Sequence, residues 1–465
     1  MEPTRTPRTG LTRRNLLRTG LGTTAGLTVA ACSGGEIAGR RGGNVPTPVG
    51  VVRTSWSTDP WTLGSYSYLG VGATPDLRVT LGTAVGGGVL HLAGEHVAID
   101  HPATVHGAAE SGDRTADRIL AAADGPERIV VVGAGVAGAT VARRLADGGH
   151  EVLVVEGRDR VGGRIDTVRP AGWAMPVERG ASWVHDIAAG GLAGELARLE
   201  VGTVPFDYGG TVLRPDGTTE SLEEAAVVPE RALATALEWA EGRRDDVSLT
   251  EALVRSGAAA DPAELDRFLR DEIVTEYGAD PAELSARAGL AEGTEGDDVL
   301  VLGGYARLVE DLLDGVPTEL GWPVAEVAHG PDGAIVTAVD GRSVVGDRVV
   351  VTLPLGVLRA GTVRFDPALP ADHRSAIEGL SMGLLDKLWL RWDERWWGDH
   401  GRRWSRTAPA DDPYVEWYDL SDLAGQAVLL ALVGGSVARE WATRSDEEVL
   451  AAALRSLQAF RDAGW

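Results

Sequence analysis

The feature that most constrains the fold of this chain is a glycine-rich turn between an apolar run and a helix-like stretch, within residues 127–156. Residues 129–132 form the apolar run, and the turn from Gly133 to Gly138 has the spacing Gly-x-Gly-x-x-Gly. A second apolar run ends on Glu156. This order predicts a strand, a tight turn, a helix and a second strand, which is typical of a unit that binds a dinucleotide.

Each glycine of the turn has its own predicted role. Gly133 permits the tight turn, Gly135 lets the backbone approach a pyrophosphate, and Gly138 lets the helix pack closely on the strand. The amides at the helix N-terminus attract phosphate, and the acid that ends the second strand binds ribose hydroxyls. The cofactor-binding residues predicted from this unit are Gly133, Gly135, Ala137, Gly138 and Glu156.

The length and the charge of the chain limit its class. With 465 residues, of which 44% are hydrophobic, the chain can form a large core and two domains. Its net charge of −24 argues against a nucleic-acid partner, because phosphates would be repelled, and would attract small cationic molecules. The alternative is that the acidity serves only solubility.

The N-terminal residues suggest export. Arg13 and Arg14 precede a short run rich in small residues that ends at Cys32, the one cysteine of the sequence. This pattern resembles a twin-arginine export signal with a lipoprotein cleavage box. We therefore expect a signal over 1–31, a lipid on Cys32, contact with a membrane through that lipid only, and a flexible tether over 32–50. The alternative is a disordered leader with an accidental arginine pair.

Two blocks downstream of the turn indicate a family. Residues 157–164 read GRDRVGGR and residues 177–186 read VERGASWVHD. Together with the turn they resemble the flavin-containing amine oxidase superfamily, in the branch of the polyamine oxidases and flavin-type histone demethylases. The resemblance implies that the bound dinucleotide is FAD.

The same resemblance implies roles for residues of both blocks. Arg158 and Arg164 would contact the phosphate and flavin ends of the cofactor, and Gly163 belongs to the same fingerprint. Ser182 and Trp183 would run along the flavin.

His185 would lie beside the substrate amine in this family. The family has glycine at the next position, where this chain has Asp186.

A single lysine stands among 44 Lys and Arg residues, namely Lys387 in the stretch GLLDKLWLRW. The alternation of residues around it predicts a strand with Lys387 on the face opposite Leu388. An ammonium group can hold one water in a tight apolar pocket, which a planar guanidinium cannot do equally well. Residues 354–397 resemble the same superfamily, which implies that Lys387 holds a water at flavin N5, where reduced flavin meets oxygen.

Segments before the dinucleotide unit resemble parts that the family carries at its C-terminus. They are residues 53–70 and 92–112. The resemblance implies that Gly94-Glu95 binds phosphate and ribose, and that a helix beginning at Thr104-Val105 directs its N-terminal amides at the flavin. The further cofactor contacts implied by the resemblance are Trp56 and Val324.

The order of these segments predicts a circular permutation. Residues 429–465 resemble the strand and helix that lead into the 53–70 stretch in the family, so the family order would be 128–465 followed by about 46–123. The alternative is a mis-assembled gene whose product does not fold.

The early segments also imply how substrate and flavin are held. Tyr66 would form one wall of a cage around the amine, and Thr104 the other. Because Ser65 stands where some members carry a cysteinyl flavin link, and Cys32 is the one thiol, FAD should be held non-covalently.

The predicted architecture is α/β, with a Rossmann-like FAD-binding domain of the glutathione-reductase type and an α+β substrate domain, in permuted order. The predicted FAD domain comprises 78–200 and 297–360. The predicted substrate domain comprises the segments 51–77, 201–296 and 361–465.

The predicted function is FAD-dependent oxidation of a polyamine-like or other primary or secondary amine. A hydride passes to flavin N5, oxygen becomes hydrogen peroxide, and the imine is hydrolysed to an aldehyde. The catalytic residues would be Lys387, Tyr66, Thr104 and His185.

Two alternatives stay open at this point, namely an L-amino-acid oxidase or desaturase-like oxidase, and a flavin-binding protein without turnover. Four histidines recur every five residues, at His91, His96, His101 and His106. We expect no metal site there, because side chains five residues apart share neither a helix face nor a strand face.

Overall fold

The computed structural model describes residues 43–187, 191–292 and 296–465. The predicted signal, Cys32 and residues 32–42 of the predicted tether lie outside the described residues. Within the described ranges, no helix is long and apolar enough to cross a membrane.

The strands of the described residues are short, with few longer than five residues. They are, in chain order, β1 (Gly50–Arg53), β2 (Ser67–Tyr68), β3 (Leu90–Leu92), β4 (Arg128–Val132), β5 (Glu151–Val155), β6 (Thr167–Val168), β7 (Val177–Glu178), β8 (Trp183–Val184), β9 (Thr203–Pro205), β10 (Gly210–Leu213), β11 (Thr219–Ser221), β12 (Val299–Val301), β13 (Thr318–Glu319), β14 (Val324–Gly330), β15 (Gly333–Ala338), β16 (Ser343–Gly346), β17 (Arg348–Val351), β18 (Arg364–Asp366), β19 (Ser381–Met382), β20 (Leu385–Trp392), β21 (Arg403–Arg406), β22 (Glu416–Asp419) and β23 (Ala427–Gly434).

The helices are spread along the described residues, and four of them follow one another between β11 and β12. They are α1 (Asp76–Leu81), α2 (Val105–Ala122), α3 (Val136–Asp147), α4 (Leu192–Arg198), α5 (Leu222–Glu241), α6 (Leu249–Arg255), α7 (Pro262–Phe268), α8 (Thr275–Tyr277), α9 (Ala306–Leu312), α10 (Leu355–Ala360), α11 (Ala371–Gly379), α12 (Ser421–Ala424), α13 (Gly435–Trp441) and α14 (Asp446–Asp462), with a π-helical turn at Leu269–Val274 and a 3₁₀ turn at Glu95–Val97.

A five-stranded parallel sheet, in the order β13-β5-β4-β17-β3, forms the first layer. β4 reads as a continuous apolar run because both of its faces are covered. Ile129 and Val131 belong to the core cluster shared with α3, whereas Val130 and Val132 belong to the cluster shared with the sheet of β14 and β15. Since the strands are parallel, their carboxyl ends meet at one edge, where a ligand is expected.

Residues that precede the dinucleotide unit complete this sheet. β3 pairs in parallel with β17, so that Leu92 lies opposite Val351. α2 packs on α3, and Gly112 makes this possible, since a Cβ there would lie 2.7 Å from the Ala137 carbonyl oxygen. The carboxyl end of β3 and the N-terminus of α2 therefore reach the same edge as the glycine turn.

A seven-stranded mixed sheet, in the order β1-β20-β23-β22-β21-β10-β11, forms the second large layer. β1 and β23 flank β20 in antiparallel pairing, and Lys387 lies opposite Leu432 of β23. Residues of α5 to α8 form a separate core cluster around Tyr68, which belongs to a two-stranded sheet of β2 and β19.

The prediction of a flexible tether over 32–50 is wrong for its last residues. Val45 is buried, its amide donates to the Gln458 side chain, and the amide of Val49 donates to the Arg391 carbonyl. Gly50 already belongs to β1. These contacts lie far apart in sequence, so composition alone did not reveal them.

Candidate active site

A cavity of about 350 Å³ lies between the carboxyl edge of the parallel sheet and the seven-stranded sheet. Residues from every predicted site segment line it. They are Trp56, Tyr66, Gly94, Glu95, Thr104, Val105, Gly133, Gly135, Ala137, Glu156, Arg158, Gly163, Arg164, Ser182, Trp183, His185, Val324 and Lys387. Of the predicted catalytic and cofactor-binding residues, all of which lie in the described part of the chain, Gly138 alone is outside this lining.

The glycine turn forms an open backbone cradle. Gly133 has a φ of +108°, and a Cβ there would lie 2.5 Å from the Thr352 hydroxyl oxygen. At Gly135 a Cβ would meet nothing closer than the Gly162 carbonyl oxygen at 4.0 Å, so its backbone is open to a ligand. Gly138 instead faces the Gly133 carbonyl, where no Cβ would fit. This geometry agrees with the packing role predicted for Gly138, which lets α3 lie close to the turn, and a direct contact between Gly138 and the cofactor stays a prediction.

Glu156 is fixed in the cavity wall by backbone donors. Its carboxylate accepts from the amides of Ala134 at 2.8 Å and Arg158 at 2.9 Å, and the residue is 7% exposed. An open glycine turn next to a fixed, buried carboxylate fits the pyrophosphate and ribose of a dinucleotide. The side chain of Arg158 donates to Asp59 at 2.7 Å, so it is held by a residue of the early segment.

A second buried carboxylate, Glu95, lies at the end of β3. It accepts from the Ser67 hydroxyl at 2.6 Å and pairs with Arg164 at 2.8 Å. Burial alone would raise its pKa, but Arg164, His96, Arg78 and the Ser67 bond together outweigh burial and lower the pKa of Glu95 to about 2. Glu95 is therefore ionised and holds Arg164 in the cavity wall.

Tyr66 and Thr104 are fixed by hydrogen bonds that leave their other faces in the cavity. The Tyr66 hydroxyl donates to the Thr275 carbonyl at 3.2 Å. The Thr104 hydroxyl accepts from the amide of Gly107 at 3.0 Å and donates to the His101 carbonyl at 2.8 Å. Thr104 is therefore the N-cap of α2, and the positive end of this helix lies at the cavity.

Lys387 enters the cavity from the middle of β20. Its ammonium donates to the Gly180 carbonyl and the Ser182 hydroxyl, and lies 5.1 Å from the centre of the Trp183 ring. Burial lowers the pKa of Lys387 to about 7, although the nearby carboxylate of Glu178 opposes the shift.

His185 lies beside a cluster of aromatic rings at the cavity. Trp183 packs edge-on against Phe206, with ring centroids 5.5 Å apart, and lies 6.1 Å from the ring of Tyr418. The Nδ1 atom of His185 is 2.9 Å from an Asp298 carboxylate oxygen.

Asp186 has a φ of +48°, in the region that favours glycine. The L side chain of Asp186 therefore occupies a backbone conformation that glycine adopts freely.

Sequence reasoning missed several residues at the site. Tyr208, Tyr418 and Glu276 line the cavity, and the buried carboxylates Glu178 and Asp298 support it from behind. The three lining residues lie in segments without a recognisable motif. Glu178 lies in the recognised block 177–186, where its place shortly before Gly180-Ala181 was the signal that could have identified it as a site residue.

Comparison with known proteins places the chain in a family. The family model described as "Flavin containing amine oxidoreductase" matches residues 36–120 and 136–463. Polyamine oxidase 4 of Oryza sativa subsp. japonica is 28% identical over 349 residues, which cover 70% of this chain and 71% of that protein. Lysine-specific histone demethylase 1 homolog 2 of the same plant is 31% identical over 342 residues, which cover 68% of this chain and 45% of that protein.

Solved structures share the fold. Cyclohexylamine oxidase from Brevibacterium oxydans IH-35A matches with a TM-score of 0.59 at 22% identity, over 73% of this chain and 82% of that one. Putrescine oxidase bound to putrescine matches with a TM-score of 0.59 at 22% identity, over 72% and 81%.

The family match confirms the predicted superfamily, the mixed α/β fold, the enzyme class and the FAD cofactor. The circular permutation, the domain boundaries and the export signal stay predictions. This chain belongs to the flavin containing amine oxidoreductases, and it is an FAD-dependent amine oxidase.

Proposed function

We propose that this protein oxidises a polyamine-like amine that carries a second positive charge, with oxygen as the electron acceptor and hydrogen peroxide as a product. The observation that carries the proposal is that Tyr66, Thr104 and Lys387, from three distant segments, line one cavity together with the glycine turn and Glu156. Bound FAD would supply the redox chemistry, taking a hydride from the carbon next to the amine nitrogen and delivering electrons to oxygen.

The arginines around the cavity disfavour an amino-acid substrate. An amino-acid oxidase needs a cationic side chain for the substrate carboxylate. Each of the lining arginines is already paired with a carboxylate, in the pairs Arg158–Asp59 at 2.7 Å, Arg164–Glu95 at 2.8 Å and Arg179–Asp166 at 2.6 Å. Within the described ranges, the cavity therefore offers no unpaired guanidinium for a carboxylate.

Glu276 favours a substrate with an additional cationic group. It lines the cavity next to Thr275, the residue that holds the Tyr66 hydroxyl. Among the described residues, its carboxylate has no hydrogen-bonding or ion-pair partner. A carboxylate at a cavity wall stabilises an ammonium group of the substrate, and the walls formed by Tyr66 and Thr104 would orient the reacting amine.

Lys387 would act where electrons pass to oxygen. In the protonated form of Lys387, two of the three N–H donors go to Gly180 and Ser182, which leaves one donor for a water in the cavity. Lys387 is buried beside the Trp183 ring, so little bulk water reaches it, and this strengthens the electrostatic effect of the group.

The test is a peroxide assay of the purified holoprotein with diamines, triamines, monoamines and L-amino acids. We expect peroxide with diamines and triamines, less with monoamines of the same chain length, and none with amino acids. If amino acids but no other amines give peroxide, the proposal is wrong and the protein is an amino-acid oxidase. A yellow holoprotein that makes no peroxide and is not bleached by any amine under nitrogen would show a flavin-binding protein without turnover.

We also propose the permuted order 128–465 followed by 46–123. Arg461 of α14 donates to the Gly43 carbonyl at 2.9 Å, and Gln458 holds the Val45 amide, so the two segments to be rejoined are adjacent. The test is a chain that starts at Arg128 and carries 43–123 after 465, so that the contacts of Gly43 and Val45 are kept. This chain should fold, bind FAD and keep its activity. Loss of folding in that rearranged chain, with the original chain folded, would contradict the proposal.

Export and lipidation are proposed from the N-terminal sequence alone. Cells that express the full chain and are fed a labelled fatty acid should label the parent and not the Cys32→Ala variant. Replacement of Arg13 and Arg14 by lysine should retain the protein in the cytoplasm. Equal labelling of both cysteine forms would contradict lipidation at Cys32.

A further inference from the structure

Asp298 lies behind two residues of the cavity wall and bonds to both of them. It precedes β12, and its side chain is 6% exposed. One carboxylate oxygen, Oδ2, is 2.9 Å from His185 Nδ1 and accepts from the Tyr208 hydroxyl at 2.8 Å. The other oxygen, Oδ1, accepts from the backbone amide of Asp186 at 3.3 Å.

These bonds determine how the imidazole of His185 is presented. An ionised carboxylate only accepts hydrogen bonds, so Nδ1 of His185 carries the proton that it shares with Asp298. In neutral histidine the other nitrogen, Nε2, is then an acceptor. Among the described residues Nε2 has no hydrogen-bonding partner, and His185 lines the cavity.

We infer that Asp298 is a positioning residue, which fixes His185 so that Nε2 accepts a hydrogen bond from an N–H of the amine substrate. The inference rests on the proposed function for the identity of the substrate. It adds a residue outside the cavity lining, and it makes the tautomer of His185 a determinant of amine binding.

The backbone around His185 supports the same role. Asp186 has a φ of +48°, a strained conformation for a residue with a side chain. The bond from its amide to Asp298 holds this turn, and Gly296 leaves room for the Asp186 side chain, since a Cβ at Gly296 would lie 2.5 Å from Asp186 Oδ1. Asp298 therefore fixes both the ring and the backbone that carries it.

The substitution Asp298→Asn is predicted to reverse the tautomer. The amide of Asp186 can only donate, so it keeps the Asn oxygen at the Oδ1 position. The Asn amino group then faces both His185 Nδ1 and the Tyr208 hydroxyl oxygen. Because this group only donates, the hydroxyl turns to accept, Nδ1 must accept as well, and the proton of His185 moves to Nε2. The Nε2–H group would then face an N–H of the substrate, and two donors cannot hydrogen-bond to each other.

Kinetics provide the first readout. We expect Asp298→Asn to lower kcat/KM for the preferred amine roughly 10- to 100-fold, mainly through KM, as for the loss of a partner that orients a ligand-binding histidine. Reoxidation of the reduced flavin by oxygen should be unchanged, because no amine takes part in that half-reaction. A merely structural defect would slow both half-reactions and lower FAD content.

A double-mutant cycle tests whether Asp298 acts on amine binding through His185 or directly. His185→Gln should lower kcat/KM by a similar factor, and Asp298→Asn should have no further effect in that background. Asp419→Asn is the matched control, because Asp419 is a buried carboxylate that accepts from Trp397 and Ser421 outside the cavity. Additive losses in the double variant would overturn the inference.

Long-range ¹H–¹⁵N spectra of histidine-labelled holoprotein provide a readout without turnover. The chain has nine histidines, and His185→Gln identifies the signal of His185 by its loss. We expect the Nδ1–H form in the parent and the Nε2–H form in Asp298→Asn. The same form in both proteins would overturn the inference, even if no amine in the panel is oxidised and the proposed function has failed.

Discussion

The ammonium of Lys387 is expected to lose its proton near neutral pH, so the folded protein should become more stable as the pH rises above about 7. Lys387 is 6% exposed, and burial lowers its pKa from 10.5 to about 7. In the unfolded chain its pKa is that of an ordinary lysine. Between these two pKa values the unfolded state binds more protons than the folded state, so the free energy of unfolding rises with pH.

The size of the effect follows from the two pKa values. One proton that only the unfolded state holds contributes about 1.4 kcal/mol per pH unit. Because the folded group is half-titrated near pH 7, the rise between about pH 7 and about pH 9 is about 2 kcal/mol. Lys387→Met removes this titration, so the difference in stability between parent and variant isolates it from all other groups.

Two assays measure the effect. Since the chain has one lysine, protein labelled with [ε-¹³C]lysine gives one signal, which should titrate with a midpoint near pH 7. Urea unfolding of parent and Lys387→Met at both pH values should show the parent gaining about 2 kcal/mol relative to the variant. The absolute difference also contains the lost bonds to Gly180 and Ser182, so only its change with pH is diagnostic. A midpoint near 10.5, with a constant difference, would refute the reasoning.

Three further predictions concern the cavity. Lys387→Met should slow reoxidation of the reduced flavin by oxygen in stopped-flow experiments and leave reduction by amine within a few-fold; unchanged reoxidation would remove the proposed role. Glu276→Gln should raise KM roughly 10- to 100-fold for a diamine but only slightly for a monoamine. Glu310→Gln is the control, because Glu310 does not line the cavity. An equal effect on the KM of both amines would exclude a second ammonium site. Gly133→Ala should yield protein without FAD, because its φ of +108° and the nearby Thr352 leave no place for a methyl group; a fully yellow variant, measured by absorbance per protein, would contradict this.

The cofactor site was predictable from sequence because its signals are local. A tight turn with positive φ requires glycine at Gly133, and an acid at the end of the next strand is fixed by chain geometry. The early blocks with Tyr66 and Thr104, and the lone Lys387, were found by family resemblance. The structure places all of them around one cavity.

The pairing of charges was not predictable. Asp298 and His185 are 113 positions apart, and Arg158 and Asp59 are 99 apart, so no spacing rule connects them. The same holds for Val45, which pairs with a residue 413 positions away. Such contacts exist only once both sheets and the helices between them have packed.

The sequence by itself determined that the chain contains a dinucleotide-binding unit, because the backbone conformation at glycines and strand ends depends on neighbouring residues. The resemblance of its blocks to known sequences added the amine oxidase family. The tertiary structure decided which arginines of the cavity are already paired and that Asp298 lies behind His185. It also decided that Glu276 has no charged or hydrogen-bonding partner within the part of the chain that is described. The physical reason is that hydrogen bonding and burial depend on which distant segments meet, and in this cavity they decide which substrate charge can be accommodated.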